Sequence, residues 1–181
     1  FPTRRSSDLD ITRRLALDGF MAFAPDALTS LGGYPGNEDK AREAFAELDQ
    51  PKVLQDFLAS AAWLRARADG NGKMGAVGFC YGGGVVLSLA TRLPDLDAAV
   101  PFYGNTPAVA DAAKVKAPVL AHLAGIDERI NASWPAFEAA LRLNPRFYQA
   151  LGLLAGMGQR QRRGRPDGPA AMASAAAVAH P

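Results

Sequence analysis

The sequence predicts an α/β fold, a mostly parallel sheet with helices on both faces, and three observations carry that prediction. Short apolar runs bounded by Gly or Pro alternate with longer stretches of helical period. A glycine-rich turn, Gly78-Phe79-Cys80-Tyr81-Gly82-Gly83-Gly84, stands between one such run and one such stretch. No apolar run reaches the roughly 18 residues of a membrane span, and no internal repeat is visible. Parallel neighbours must be joined by crossovers, and helices are the usual crossovers. Strict alternation therefore reads as a parallel sheet covered on both faces.

Taken in order, residues 10–18 set Ile11, Leu15 and Leu17 among charges, a short amphipathic helix that Gly19 closes. Residues 20–24 are apolar and end at Pro25, a buried strand. Residues 26–39 are rich in Gly, Ser, Pro and Asn, hence a loop. Residues 40–48 put Ala41, Ala44, Phe45 and Leu48 on one helical face. Asp49-Gln50-Pro51 opens a longer helix, with Pro51 where a first-turn N–H is not needed. That helix ends before the turn cluster Asp69-Gly70-Asn71-Gly72. Residues 73–79 predict a strand, 85–93 a helix closed by Pro94, and 98–103 and 118–124 two more strands. Ser133 is placed to cap a helix over 134–143.

The chain has 181 residues, 49% hydrophobic and 21% charged, which fits one globular domain with a real core. We place that domain at residues 10–141. A single cysteine excludes an internal disulfide and any cysteine-based metal site, and it fits a reducing compartment such as the cytoplasm. No metal or other cofactor is expected. The formal charge of +2 hides an asymmetry: residues 15–141 hold 15 acidic against 10 basic groups, and the excess of Arg sits at the two ends. An acidic middle carries no nucleic-acid footprint. Residues 142–181 read as an irregular tail of Ala, Gly, Arg and Pro. That composition fits either a flexible basic tail or GC-rich DNA read in a shifted frame, and we favour the second. Residues 1–9 read as a non-native leader.

The glycine-rich turn carries the chemistry. Its pattern is G-x-nucleophile-x-G between strand and helix, the nucleophile elbow of hydrolases, with Cys80 as the nucleophile. A side chain two residues to either side would collide across so sharp a turn, and Gly78 and Gly82 remove that collision. The helix that follows turns its positive dipole end toward the sulfur, and the Tyr81 N–H points where an oxyanion would form. A plain buried thiol is the bland alternative; strand, glycines and helix together outweigh it. A dinucleotide site is excluded because Gly75, Gly78 and Gly82 do not have G-x-G-x-x-G spacing. Asp127, just past the strand at 118–124, is the candidate triad acid, with Glu128 a weaker neighbour; a loop or helix-capping aspartate is the alternative reading. His122 lies within that strand and reads as a core or packing histidine. His180 follows in the tail, with nothing around it that resembles a catalytic loop.

Five stretches together resemble the dienelactone hydrolase (carboxymethylenebutenolidase) family of the α/β-hydrolase superfamily. They are DITRRLALDGFMAFAPDAL, LGGYPGNEDKAREAF, NGKMGAVGFCYGGG, LDAAVPFYG and KAPVLAHLAGIDERI, with Cys80 and Asp127 separated by 47 residues. The resemblance implies a partial α/β-hydrolase fold and a Cys–Asp–His triad that opens ester or enol-lactone bonds through a thioester. It assigns Cys80 as nucleophile and Asp127 as triad acid. It suggests Lys40 or Arg42 as a group that holds the substrate carboxylate, and a small-molecule ester or lactone as the partner.

Three departures stand against it. The family's histidine lies in a G-x-x-H-[AS]-F stretch about thirty residues beyond the aspartate, and this chain reads Leu151-Gly152-Leu153-Leu154-Ala155-Gly156 there. The match opens inside a helix, without the family's first strands, their glutamate and their second oxyanion amide. The family's second substrate-holding arginine would fall in the altered tail. The resemblance therefore implies a hydrolase impaired as written. The alternative is a non-catalytic fragment that at most binds a small carboxylate. A glutamine amidotransferase also uses G-x-C-x-G, but its H-x-E pair does not occur.

Overall fold

The computed structural model describes residues 4–143 and 174–178. Helix α1 spans Arg4–Leu17, so it starts inside the stretch read as a leader, and Gly19 at φ 89° turns the chain into strand β1, Met21–Phe23. Helix α2, Glu38–Ala46, is capped by the Asn37 carboxamide, which accepts from the Asp39 and Lys40 N–H groups. Helix α3, Gln50–Arg65, is capped by Asp49 and carries Pro51 in its first turn. It buries Val53, Phe57, Ala61 and Leu64, one stripe at i, i+4, i+8 and i+11.

Strand β2, Met74–Phe79, helix α4, Tyr81–Arg92, and strand β3, Ala98–Phe102, form the centre of the molecule. The burial of β2 alternates, with Met74, Ala76 and Gly78 buried and Gly75, Val77 and Phe79 half-buried. A Cβ on Gly78 would strike Gly82 and Val86 of α4, so the buried row is the one that faces α4. Helix α4 starts four residues before the expected 85–93, because its glycines pack inside the first turn. A Cβ on Gly83 would stand 2.6 Å from the Phe102 carbonyl oxygen. Two helices close the described fold, α5 at Glu128–Asn131 and α6 at Trp134–Arg142. Ser133 does not cap α6; its hydroxyl donates to the Ile130 carbonyl (2.8 Å).

The sheet is parallel with strand order β1-β4-β2-β3, where β4 is Ser174–Val178. Five residues of the segment read as an irregular tail thus sit in the middle of the sheet. Periodicity gave no sign of this, because Ser174, three alanines and Val178 show no apolar–polar alternation. Beyond β3, the expected strand at 118–124 is reduced to two isolated bridges, Ala99↔Val119 and Phe102↔His122. Among the described residues no helix is long and apolar enough to cross a membrane. The core centres on α4, with Val86, Leu87 and Leu89 within 1% exposure, and extends to Phe137 and Ile130 under α6.

Candidate active site

Cys80 joins β2 to α4 with φ 53° and ψ −113°, backbone angles that L-residues rarely adopt. Three contacts over-determine the turn. The Cys80 N–H donates to the Phe102 carbonyl (2.9 Å), the Gly84 N–H donates to the Cys80 carbonyl (3.2 Å), and Gly78 touches Gly82 without a Cβ between them. Strain of this kind persists only where its surroundings hold it, and it gathers at functional sites. The Cys80 side chain is half-buried, and its sulfur has no hydrogen-bond partner among the described residues.

The residue after it is held from two sides. The Tyr81 ring meets Phe45 of α2 edge-on at 4.6 Å, and its hydroxyl donates to Gln50 Oε1 of α3 at 2.6 Å. Burial pushes the Tyr81 phenol above its ordinary 10.0. Among the described residues, the first-turn N–H groups of Tyr81, Gly82 and Gly83 have no backbone acceptor. They are the donors a helix start leaves over. A cleft of about 460 Å³ opens beside the turn, lined by Tyr81, Gly84, Gln50, Asn105, Thr106 and Arg92 among others. Cys80 itself does not line it.

Asp127 caps the short helix α5, its Oδ1 accepting from the Ile130 N–H at 3.0 Å. The capping alternative is therefore real, and it leaves Oδ2 without a hydrogen-bond partner among the described residues. Two residues further, Arg129 donates to Asn105 Oδ1 (2.8 Å), tying α5 to the loop after β3. That loop starts at Gly104, where any Cβ would run into Gly83 and Gly84. The Gly104 contact and the Arg129–Asn105 link were missed from the sequence, where no local pattern marks either.

His122 is exposed rather than core, because the row beyond β3 is a sheet edge. Its ring lies flat on Phe102 (4.2 Å, 5°), which stacks on Phe79 (4.6 Å). The packing half of the expectation holds, and the core half does not. His180 lies outside the described residues. Lys40 and Arg42 are exposed on α2, and Arg42 spends its charge on Asp39 of the same helix at 3.6 Å. Glu128 is exposed in the first turn of α5. Among the described residues no cluster of His, Cys, Asp and Glu could hold a metal ion.

A sequence model of the dienelactone hydrolase family matches residues 4–149. Protein usf of Aquifex pyrophilus is 39% identical over 129 residues, 67% of this chain and 54% of that protein. A protein of Aquifex aeolicus named "Putative carboxymethylenebutenolidase" is 34% identical over 128 residues, again 67% and 54% of the two chains. The chain spans about half the length of these relatives. The crystal structure of a "Putative Dienelactone Hydrolase" from Klebsiella pneumoniae superposes with a TM-score of 0.57 at 25% identity, covering 96% of this chain and 68% of that one. With strand, strained turn and helix in the order the α/β-hydrolase fold requires, and a family match over most of its length, this chain belongs to the dienelactone hydrolase family.

Proposed function

We propose that this chain carries the nucleophile half of a carboxylic-ester hydrolase of the carboxymethylenebutenolidase type. It acts on small esters or enol-lactones and is impaired as written. Cys80 attacks the carbonyl carbon, the Tyr81 N–H receives the negative oxygen, and Asp127 is the acid that would orient a histidine. The observation that carries this reading is the backbone of Cys80. A non-glycine residue held at φ 53° between a strand and a helix start is costly, and an ordinary buried thiol has no need of it.

The impairment rests on the histidine. Removing one member of a triad costs orders of magnitude in rate, and the family's histidine motif is absent from the sequence. The test compares thiol labelling and hydrolysis of an activated ester in the chain, in Cys80→Ala, and in a version carrying a G-x-x-H-[AS]-F segment after α6. Labelling confined to Cys80 and a gain in hydrolysis on restoration are expected. No gain on restoration, with equal hydrolysis by Cys80→Ala, sinks the hydrolase reading in favour of a non-catalytic fragment.

A further inference from the structure

We propose that the cleft beside the elbow is a second binding site, which takes a small carboxylate with a short apolar body and holds it by Arg92 and the side-chain amides of Gln50, Gln55 and Asn105. The site is separate from the reaction assigned to Cys80 and does not depend on it.

The cleft is about 460 Å³ and has three walls. The first two turns of α3 form one, and the loop after β3 forms another. The third is a single stripe of α4, running from Tyr81 through Val85 and Ser88 to Arg92. Leu54 and Val85 give the cleft apolar surface, and the polar groups converge on it from all three walls. An apolar lining with a few convergent polar groups is the form small-molecule sites take.

The polar groups are set to donate. Arg129, whose guanidinium can only donate, holds Asn105 Oδ1 (2.8 Å), so the Nδ2 end of that amide is left for the cleft. The Tyr81 hydroxyl donates to Gln50 Oε1 (2.6 Å), which leaves Gln50 its Nε2. Arg92 supplies the charge. It stands in the last turn of α4, where a cation also suits the negative end of the helix dipole. Side chains of a helix lean back toward its N-terminus, so Arg92 lies over the turn that carries Ser88 and joins the cleft wall. An arginine fork takes both oxygens of a carboxylate. One fork with neutral amide donors around it suits a single negative charge, and Leu54 and Val85 suit the hydrocarbon behind that charge.

The stripe also separates the cleft from the nucleophile. Tyr81 and Arg92 are the two ends of α4, about 16 Å apart along its axis, and Cys80 does not line the cleft. A six-carbon carboxylate held at Arg92 does not reach the sulfur.

The test titrates the full, isotope-labelled chain with hexanoate, hexanol and hexyl phosphate, followed by NMR at the side-chain N–H groups of Gln50, Gln55, Asn105 and Arg92. Hexanoate should shift these signals together and saturably, and hexanol should bind at least about tenfold more weakly, the difference a charge-assisted bond makes. Arg92→Gln should weaken hexanoate by at least about tenfold and leave hexanol unchanged, with Arg92→Lys between the two. Arg92 is exposed, and circular dichroism checks that both variants fold. Cys80→Ala should bind hexanoate as the parent does. Equal affinity for hexanoate and hexanol, parent-like binding by Arg92→Gln, or no saturable shift at these residues overturns the proposal. Tighter binding of hexyl phosphate than of hexanoate overturns the choice of a carboxylate. Loss of hexanoate binding in Cys80→Ala overturns the separation of the two sites. None of these outcomes bears on hydrolysis by Cys80, which thiol labelling and ester turnover read independently.

Discussion

At the scale of single residues, glycines bear as much of the site as the cysteine does. Gly78 is the contact point between β2 and the first turn of α4, and a methyl group there meets the Gly82 backbone, which cannot move aside without unseating the helix. Gly78→Ala should therefore destabilise the fold by about 3 kcal/mol, the upper range for overpacking, read as a lowered urea midpoint. Gly84→Ala is the control, since its Cβ would stand 3.4 Å from Asn105 and should be borne far better. Asp127 has a separable structural duty. Asp127→Ala removes the cap of α5 and should cost about 1 kcal/mol, whereas Asp127→Asn keeps a capping oxygen and should cost only a few tenths. Equal losses in the two variants would show that the carboxylate is held by something other than the cap. The glycines were legible in the sequence as a tight turn, and Asp127 as either an acid or a helix cap. Helix α5 itself was not, because it is too short to leave a period.

At the scale of elements, the site depends on how α2 and α3 grip the start of α4. Phe45 comes from α2, Gln50 from α3, and both meet Tyr81 rather than Cys80. They hold the N–H that would face an oxyanion while leaving the thiol open. The grip has a pH signature. The folded state keeps the Tyr81 proton above the ordinary 10.0, so between that value and the raised one the unfolded chain has released a proton that the folded chain retains. The contribution of Tyr81 is therefore whole below about pH 10 and lost as pH rises beyond it. The urea midpoint of the parent chain should fall more steeply above pH 10 than that of Tyr81→Phe, which should itself be about 0.5–1 kcal/mol less stable at pH 7 for want of the Gln50 bond. Parallel pH profiles would show that the phenol does not titrate differently in the two states. Helix α3 is fastened at its far end by Arg65, which donates to the Asp95 carbonyl (2.7 Å) and pairs with its carboxylate (3.2 Å). Both helices were visible as apolar stripes, and α3 also by the Asp49-Gln50-Pro51 that opens it; the Asn37 cap of α2 was not seen. The bond from Tyr81 to Gln50 joins residues 31 apart in sequence, and no local pattern records such a contact.

At the scale of the whole molecule, the sheet holds together through β4. It pairs with β1 on one side and β2 on the other, so β1 has no other strand partner in the sheet order. Ala176 stands opposite Phe23 and Ala76 at once. A proline there removes a ladder donor in a central strand, where proline is not tolerated. Ala176→Pro should cost about 3 kcal/mol and separate the unfolding of α1 and β1 from that of the β2–α4–β3 centre, seen as two phases in hydrogen exchange. A single unchanged transition would show that β4 does not join the two parts.

The sequence by itself determined the fold class, the family, and the order of α1, β1, α2, α3, β2, α4, β3 and α6. These depend on local period, on caps and on glycines required within a few residues of one another, all of which are written side by side. Only the tertiary structure decided that residues 174–178 take a central place in the sheet, that His122 is an edge residue stacked away from α4, and that Tyr81 is held by two other helices. The reason is physical. Strand order and helix contacts are settled by which surfaces meet after collapse, and a short run of alanines and a valine will pair wherever an open edge and a fitting register are offered.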